Sequence, residues 1–222
     1  MVTPVSFVEL RQYALVPGRR DTLVSLFDRH LVESQEADGM VIHGQFRDLD
    51  DPDRFVWVRS FPSMAARKAS LEAFYGGPVW KTHRDAANAT MVDVSDVLLM
   101  RSLRHFPVRG PRPPVDTASV PSSAFVAGLC TVDPSASFPE RFVHDVEPRL
   151  GAPVVGTFRT IDVPNTFPAL PVRTGEDVFV WFARLDAASD LDGFVDHVRS
   201  LPFAGSTLHL LRLAPTARSA LR

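Results

Sequence analysis

Residues 41–61 read VIHGQFRDLDDPDRFVWVRSF. Two runs of strand-forming residues, 41–49 and 54–61, flank the cluster Asp50-Asp51-Pro52-Asp53. Because Asp and Pro favour turns and resist the interior of a strand, this pattern predicts a β-hairpin. The same pattern returns later in the chain. The repeated motifs are Gly44-Gln45-Phe46-Arg47 with Gly156-Thr157-Phe158-Arg159, and Phe55-Val56-Trp57 with Phe179-Val180-Trp181.

Outside the hairpins, both halves of the chain show the same predicted order of elements, and Phe7-Val8 aligns with Phe125-Val126. In the first half we expect a strand at 7–14, helices at 19–37, 62–74 and 79–89, and a last strand at 94–101. In the second half we expect strands at 124–132, 153–162, 177–184 and 206–213, and helices at 138–149 and 188–201. This β-α-β-β-α-β order predicts an α+β fold of tandem ferredoxin-like repeats.

The predicted repeats divide the chain into two domains, residues 1–104 and 124–222, joined by a linker at 105–123. The linker is rich in Pro, Arg, Ser and Thr and has no hydrophobic periodicity. Its prolines lack the backbone N–H that a helix requires, so we expect an extended segment there.

Composition excludes several classes of protein. A net charge of −2 is unsuited to a phosphate backbone, so no nucleic-acid partner is expected. The one cysteine, Cys130, excludes a disulfide framework and lies in an apolar run typical of a buried thiol. No apolar stretch reaches the ~18 residues that a membrane span needs, and the N-terminus lacks a signal-peptide pattern. A cytoplasmic protein without a membrane partner is therefore expected.

The strands of the first half have two unlike faces, because successive side chains alternate. One face is apolar and is predicted to contact the helices: Val8, Leu10, Ile42, Phe46, Val56 and Val58. The other is polar and aromatic: Glu9, Arg11, Tyr13, His43, Gln45, Arg47, Phe55, Trp57 and Arg59. If the sheets of the two halves cover each other, within one chain or in a dimer, they form an α+β barrel. Its interior would then be an aromatic chamber with arginines on one wall.

Three groups of residues are candidates for a site. His83, with Arg84 and Asn88, lies in a helical segment and has the titration range of a general acid or base, a role also open to His43. Alternatively, His83 is a structural hydrogen-bonding residue. Whereas His83, Arg84 and His43 are the catalytic candidates, Asn88 and the remaining candidates would bind the ligand. Arg11, Arg47 and Arg59 could clamp an anionic oxygen, although Glu9 could instead neutralise one of them; Tyr13, Trp57, Tyr75 and Trp80 could line a flat organic ligand or fill a core.

Metal and cofactor sites have no support in the sequence. No histidines or carboxylates occur at metal-ligand spacing, and no glycine-rich phosphate loop is present. His144 and His197 fall on the polar faces of predicted helices, which is unsuited to an axial haem ligand. We therefore expect no cofactor and no metal.

A series of motifs in residues 6–102 occurs together in the order Val8-Glu9-Leu10-Arg11-Gln12-Tyr13, Gly44-Gln45-Phe46-Arg47, Phe55-Val56-Trp57-Val58-Arg59-Ser60-Phe61, Met64-Ala65-Ala66-Arg67, Phe74-Tyr75-Gly76-Gly77-Pro78-Val79-Trp80 and His83-Arg84-Asp85-Ala86-Ala87-Asn88-Ala89-Thr90-Met91. In this combination the chain resembles the NIPSNAP family. The resemblance implies the dimeric α+β barrel fold, shared with small monooxygenases, haem-degrading enzymes and EthD-like proteins, and hence a homodimer. It implies no particular reaction, because a fold does not determine a function.

Three functions remain open from the sequence. The first is a cofactor-free enzyme, of oxygenase, isomerase or cyclase type, acting on an aromatic or polyketide-like molecule. The second is a binding or accessory protein with the same pocket and no chemistry. The third is a structural dimer whose chamber is filled by side chains. The enzyme requires a pocket where His83 or His43 meets an arginine, whereas the structural protein requires no pocket.

Overall fold

The computed structural model of the chain describes residues 6–107, 110–133, 137–201, 203 and 206–222. The first half forms β1 (Phe7–Leu15), α1 (Arg20–Leu26), α2 (Val32–Ala37), β2 (Val41–Asp48), β3 (Arg54–Phe61), α3 (Met64–Gly76), α4 (Pro78–Asn88) and β4 (Met91–Arg104). A π-helical turn, Phe27–Leu31, joins α1 to α2. The second half forms β5 (Ala124–Val132), α5 (Phe138–Arg141), β6 (Val154–Thr160), β7 (Val178–Leu185), α6 (Leu191–Ser200) and β8 (Ser206–Pro215). Helix α5 continues as a π-helical turn, Phe142–Val146, and a 3-10 turn, Glu147–Arg149.

The strands form a closed barrel in the order β1-β3-β2-β8-β5-β7-β6-β4. Each half contributes four neighbouring strands, β4-β1-β3-β2 and β8-β5-β7-β6, with the first strand beside the third as in a ferredoxin-like sheet. The halves meet where β2 pairs with β8 and where β4 pairs with β6. The predicted α+β barrel is therefore confirmed, and it closes within one chain.

The two hairpins share their strand register. Gly44 faces Val58 and Gly156 faces Phe182, each beside a β-bulge. Trp57 and Trp181 then occupy matching positions one pair further along. On the next strand Trp57 faces Arg11 and Trp181 faces Gly128, so Phe125 corresponds to Val8. The alignment of Phe7 with Phe125 is therefore wrong by one residue.

The predicted assignment of the two strand faces is wrong, because the sheet is buried on both sides. Val8, Leu10, Phe46, Val56 and Val58 point into the barrel, where side chains from β5, β7 and β8 fill the interior. The face predicted to line a chamber instead packs against the helices, where Tyr13, Phe55 and Trp57 form a second core. Ile42 joins that core because the bulge between Ile42 and Gly44 shifts the alternation. Both faces are apolar enough to be buried, so alternation alone did not reveal which one meets the helices.

The segment predicted as a linker has neither helix nor strand in its described part; residues 108 and 109 lie outside the described residues. Arg112 connects this segment to the first half. Its Nη2 donates hydrogen bonds to the carbonyl of Ile42 at 2.9 Å and to Glu36 Oε1 at 3.0 Å. Arg112 Nη1 also donates to the carbonyl of Arg218 and so connects the C-terminal segment. Among the described helices, none is long and apolar enough to cross a membrane.

Candidate functional site

A cluster of four fully buried charged residues lies between the sheet and the helices of the first half. The pairing of β1 with β3 places Glu9 directly opposite Arg59 and Arg11 opposite Trp57. Glu9 Oε2 accepts hydrogen bonds from Arg11 Nη1 at 2.8 Å and Arg59 Nε at 2.7 Å. Glu9 Oε1 accepts from Arg67 Nε, which α3 supplies, at 2.7 Å. None of the four side chains is exposed to solvent.

The cluster is strongly cationic, because three guanidinium groups share one carboxylate. Burial alone would raise the pKa of Glu9, but the charges of Arg59, Arg11 and Arg67 outweigh burial and hold that pKa far below its ordinary value. Glu9 is thus a fixed anion and a poor proton acceptor. Within the described part of the chain, the Nη2 atoms of all three arginines are buried and have no hydrogen-bond partner. Since buried donors are nearly always paired, these three atoms are suited to bind an anionic group.

Neutral polar groups surround the arginines. Arg11 Nε donates to the Tyr13 hydroxyl at 2.9 Å, and Arg59 Nη1 donates to Gln35 Oε1 at 3.0 Å. Burial raises the pKa of Tyr75 above its ordinary value of 10.0, against the opposing charge of Arg59. The Tyr75 phenol therefore keeps its proton at neutral pH and can donate a hydrogen bond.

The neutral residues of this group, Tyr13, Gln35 and Tyr75, also line a cavity of about 80 Å³ beneath the helices. Its polar lining residues are Tyr13, Gln35, Tyr75 and Asn88. The aromatic lining residues are Phe27, Trp57, Phe74 and Trp80. Trp57 joins the cavity to the charged cluster, because the guanidinium carbons of Arg59 and Arg11 lie 5.0 and 5.6 Å from its ring centroid. The result is an aromatic pocket with the cationic cluster directly behind three of its lining residues, Tyr13, Gln35 and Trp57.

Part of the predicted site is brought together here. Tyr13, Trp57, Tyr75, Trp80 and Asn88 line the cavity. Arg11 and Arg59 adjoin it through their hydrogen bonds to Tyr13 and Gln35. These residues reach one place because the face that carries Arg11, Tyr13, Trp57 and Arg59 lies under α3 and α4.

Other predicted residues lie elsewhere. Arg47 is not part of the arginine group, since it pairs with Asp21 at the surface, with Nη2 3.0 Å from Oδ1. His43 lies on the barrel side, where its Nε2 is 2.7 Å from Ser60 Oγ and its ring is 5.1 Å from that of Phe106. Its position follows from the bulge in β2, which reverses the side on which the side chain emerges.

The predicted pair His83 and Arg84 does not line the cavity. His83 stacks on His30, with ring centroids 4.0 Å apart, and so joins α4 to the π-helical turn on its outer side. Arg84 is exposed and pairs with Asp85. Residues 76–90 thus do not carry His83 to the arginines, and the predicted polar cluster separates into two.

Arg67 and Gln35 were not predicted as site residues, and the number of arginines that Glu9 contacts was underestimated. Glu9, which was expected to neutralise one arginine, contacts three, because both carboxylate oxygens are used and Arg67 takes the place expected of Arg47. A signal for Arg67 was present: it is three residues from Met64 and four from Leu71, on the buried face of its helix. A charged residue at such a position requires a buried partner.

Metal ligands do not assemble in the described part of the chain. No group of three or more His, Cys, Asp or Glu side chains there could hold a metal ion. Every charged group in the buried cluster except Glu9 is a cation, so the donor set suits an anion rather than a metal.

Comparison with known proteins finds one family model that matches the region of the cluster. The NIPSNAP family model matches residues 8–103, which contain Glu9, the three arginines and most of the cavity lining. Residues 8–103, called the NIPSNAP domain below after the family model that they match, make up less than half of the chain. No curated protein sequence matches the chain.

Solved structures resemble the NIPSNAP domain and the second half together. A suggested monooxygenase from Fusobacterium nucleatum aligns with 97% of this chain and 94% of its own, at 10% identity and a TM-score of 0.62. One from Lactobacillus acidophilus aligns with 98% and 97%, at 10% identity and a TM-score of 0.61. A mutant chlorite dismutase from Candidatus Nitrospira defluvii aligns with 97% and 93%, at 14% identity and a TM-score of 0.50. At such identities the likeness shows a shared barrel fold.

Proposed function

We propose that the chain is a cofactor-free enzyme that binds a small aromatic or polyketide-like molecule and stabilises its oxyanion, either an enolate or a phenolate. The observation that supports this is the set of three buried, unpartnered Nη2 atoms of Arg11, Arg59 and Arg67 beside an aromatic cavity. Donors already oriented in a buried site of low dielectric constant stabilise a developing negative charge strongly. The suggested monooxygenases among the structural neighbours share the barrel that holds this site.

Proton transfer and oxygenation both begin from such an oxyanion. Loss of a C–H or O–H proton leaves an electron pair delocalised onto the oxygen that the arginines and Tyr75 would hold. Protonation at another carbon then gives an isomer, whereas reaction of the carbanion with O₂ gives a peroxide. None of the described lining residues is His, Asp or Glu, so a water molecule must accept the proton. This requirement favours acidic substrates, such as phenols and enolisable carbonyl compounds.

A binding protein without chemistry is the second candidate function. The observation in its favour is that neither His83 nor His43 reaches the arginine cluster, contrary to what the acid–base hypothesis requires. In that case the cationic cluster behind the cavity lining would hold a stable organic anion.

Binding of 4-nitrophenol tests the site, because its phenol and phenolate forms absorb at different wavelengths. We expect the bound molecule to show the phenolate spectrum at a pH where the free molecule is mainly phenol. Tyr75→Phe removes one charge-assisted hydrogen bond and should weaken phenolate binding by roughly tenfold or more. The exposed variant Arg84→Gln should bind as the wild type does. Binding in the phenol form, or equal effects of both variants, would contradict the proposed site.

Exchange of the methyl protons of acetophenone in D₂O, followed by proton NMR, separates the two candidate functions. The enzyme should accelerate exchange above the buffer rate, and Tyr75→Phe should reduce that acceleration. Phenolate binding without any accelerated exchange would favour the binding protein.

A further inference from the structure

The connection between β6 and β7 is much longer than its counterpart in the first half. Residues 49–53 connect β2 to β3, whereas residues 161–177 connect β6 to β7. The longer connection crosses from the second half to the NIPSNAP domain. Arg67 Nη1 donates to Asn165 Oδ1 at 3.0 Å and to Thr166 Oγ1 at 3.1 Å. Because Arg67 Nε also donates to Glu9, Arg67 links this connection to the buried cluster.

Part of this connection, residues 165–170, covers the cavity and is called the cover segment below. Leu170 lines the cavity, and the Phe167 ring stacks on Tyr75 with centroids 5.6 Å apart and planes 25° from parallel. Asn165 fixes the segment internally: its Oδ1 accepts from the Phe167 N–H at 3.0 Å and its Nδ2 donates to the Leu170 carbonyl at 2.8 Å. One asparagine therefore positions both apolar side chains and contacts Arg67.

The cover segment is held to the NIPSNAP domain by side-chain hydrogen bonds and apolar packing. Across the described residues, no backbone–backbone hydrogen bond joins 165–170 to the first half. The contacts are instead the two bonds from Arg67, a weak donation from Thr166 Oγ1 to the Met64 carbonyl at 3.4 Å, and apolar packing. Such a wall can shift while the hydrogen bonds of the sheet and helices stay intact.

We propose that Phe167 and Leu170 are the specificity-determining residues of the cavity and set the size of the organic anion that it accepts. This inference rests on the proposed function and adds that two residues from outside the NIPSNAP domain select the substrate. The cavity, about 80 Å³, is smaller than the ~150 Å³ of an engineered cavity that holds benzene. An aromatic guest therefore requires one wall to move, and the cover segment is a wall that no backbone–backbone hydrogen bond among the described residues holds to the first half.

The test compares two probes with the same acidic group and different sizes, 4-nitrophenol and 4-nitro-1-naphthol. Leu170→Ala removes apolar volume from the cavity lining, and Phe167→Ala removes the ring that stacks on the lining residue Tyr75. Each should shift relative affinity toward the naphthol by on the order of tenfold. Val163→Ala, in the same connection but outside the cavity lining, is the matched control and should leave the ratio unchanged. An unchanged ratio in both cavity variants would overturn the proposal.

A second readout needs no ligand and separates this proposal from the proposed function. Of the two tryptophans in the cavity wall, Trp80 is partly exposed, whereas Trp57, like Trp181 elsewhere, is almost fully buried. Phe167→Ala should increase the quenching of tryptophan fluorescence by acrylamide relative to Val163→Ala. If the wild type binds neither probe, the proposed function fails, and increased quenching would still support the cover segment. Equal quenching in the two variants would then overturn the inference as well.

Discussion

At the scale of single residues, the buried Glu9 cluster shows what the alternation of side chains along a strand can and cannot predict. The sequence identified Arg11 and Arg59 as residues of one strand face, and pairing of β1 with β3 confirmed it. It did not reveal that helices cover this face, because the opposite face is equally suited to burial inside the barrel. Arg67 was missed for a related reason: its partner lies on a strand 58 residues away, and no local pattern encodes that contact.

Glu9→Gln should strongly destabilise the protein. The substitution removes the one carboxylate that three buried guanidinium groups share, and loss of one partner from a buried ion pair costs about 3–5 kcal/mol. Chemical denaturation gives the free energy of unfolding. Glu72→Gln, which removes the exposed partner of Lys68, is the control and should change it by less than ~1 kcal/mol. Similar small effects in both variants would show that the cluster is not held together by Glu9.

At the scale of elements, the repeated Gly-x-Phe motif has a steric explanation that the sequence did not supply. A Cβ atom at Gly44 would lie 2.5 Å from the Phe46 ring, and one at Gly156 would lie 2.9 Å from the Phe158 ring. In both hairpins the phenylalanine therefore folds back over the bulge and fills the barrel. The motif revealed the repeat and the hairpins, whereas the bulge itself could not be predicted, since it depends on how the ring packs in the interior.

Gly44→Ala should destabilise the fold by about 1–3 kcal/mol, because the added methyl group forces the Phe46 ring out of its position. Gly76→Ala is a suitable control, since a Cβ atom there meets no heavy atom within 4 Å. That control should be neutral or slightly stabilising, because alanine reduces the freedom of the unfolded chain. Thermal unfolding of the two variants measures the difference, and equal melting temperatures would refute the steric explanation.

At the scale of the whole molecule, the sequence predicted the tandem repeat and the barrel but left open how the barrel closes. All the strands have the same alternating pattern, so the pattern cannot specify which edge strand pairs with which. The structure closes the barrel through β2 with β8 and β4 with β6 inside one chain. Closure therefore needs no second copy, and the homodimer that the family resemblance implies stays a prediction.

A fragment of residues 1–104 should not behave as a folded monomer. Alone, it would expose the apolar inner face of four strands and the unpaired edges of β2 and β4, which favour association. Light scattering after gel filtration should show a dimer or larger species, or the fragment should be insoluble. A stable monomer with a cooperative unfolding transition would show that the second half is not needed to cover the sheet.

The most direct test of the site is a crystal structure of the protein with bound 4-nitrophenol. We predict that the phenolate oxygen lies within hydrogen-bonding distance of the free Nη2 atoms of Arg11, Arg59 or Arg67, with the ring against Trp57 and under the cover segment. A ring found inside the barrel, or on the outer surface beside His30 and His83 with the arginine cluster unchanged, would contradict an anion site between the sheet and the helices.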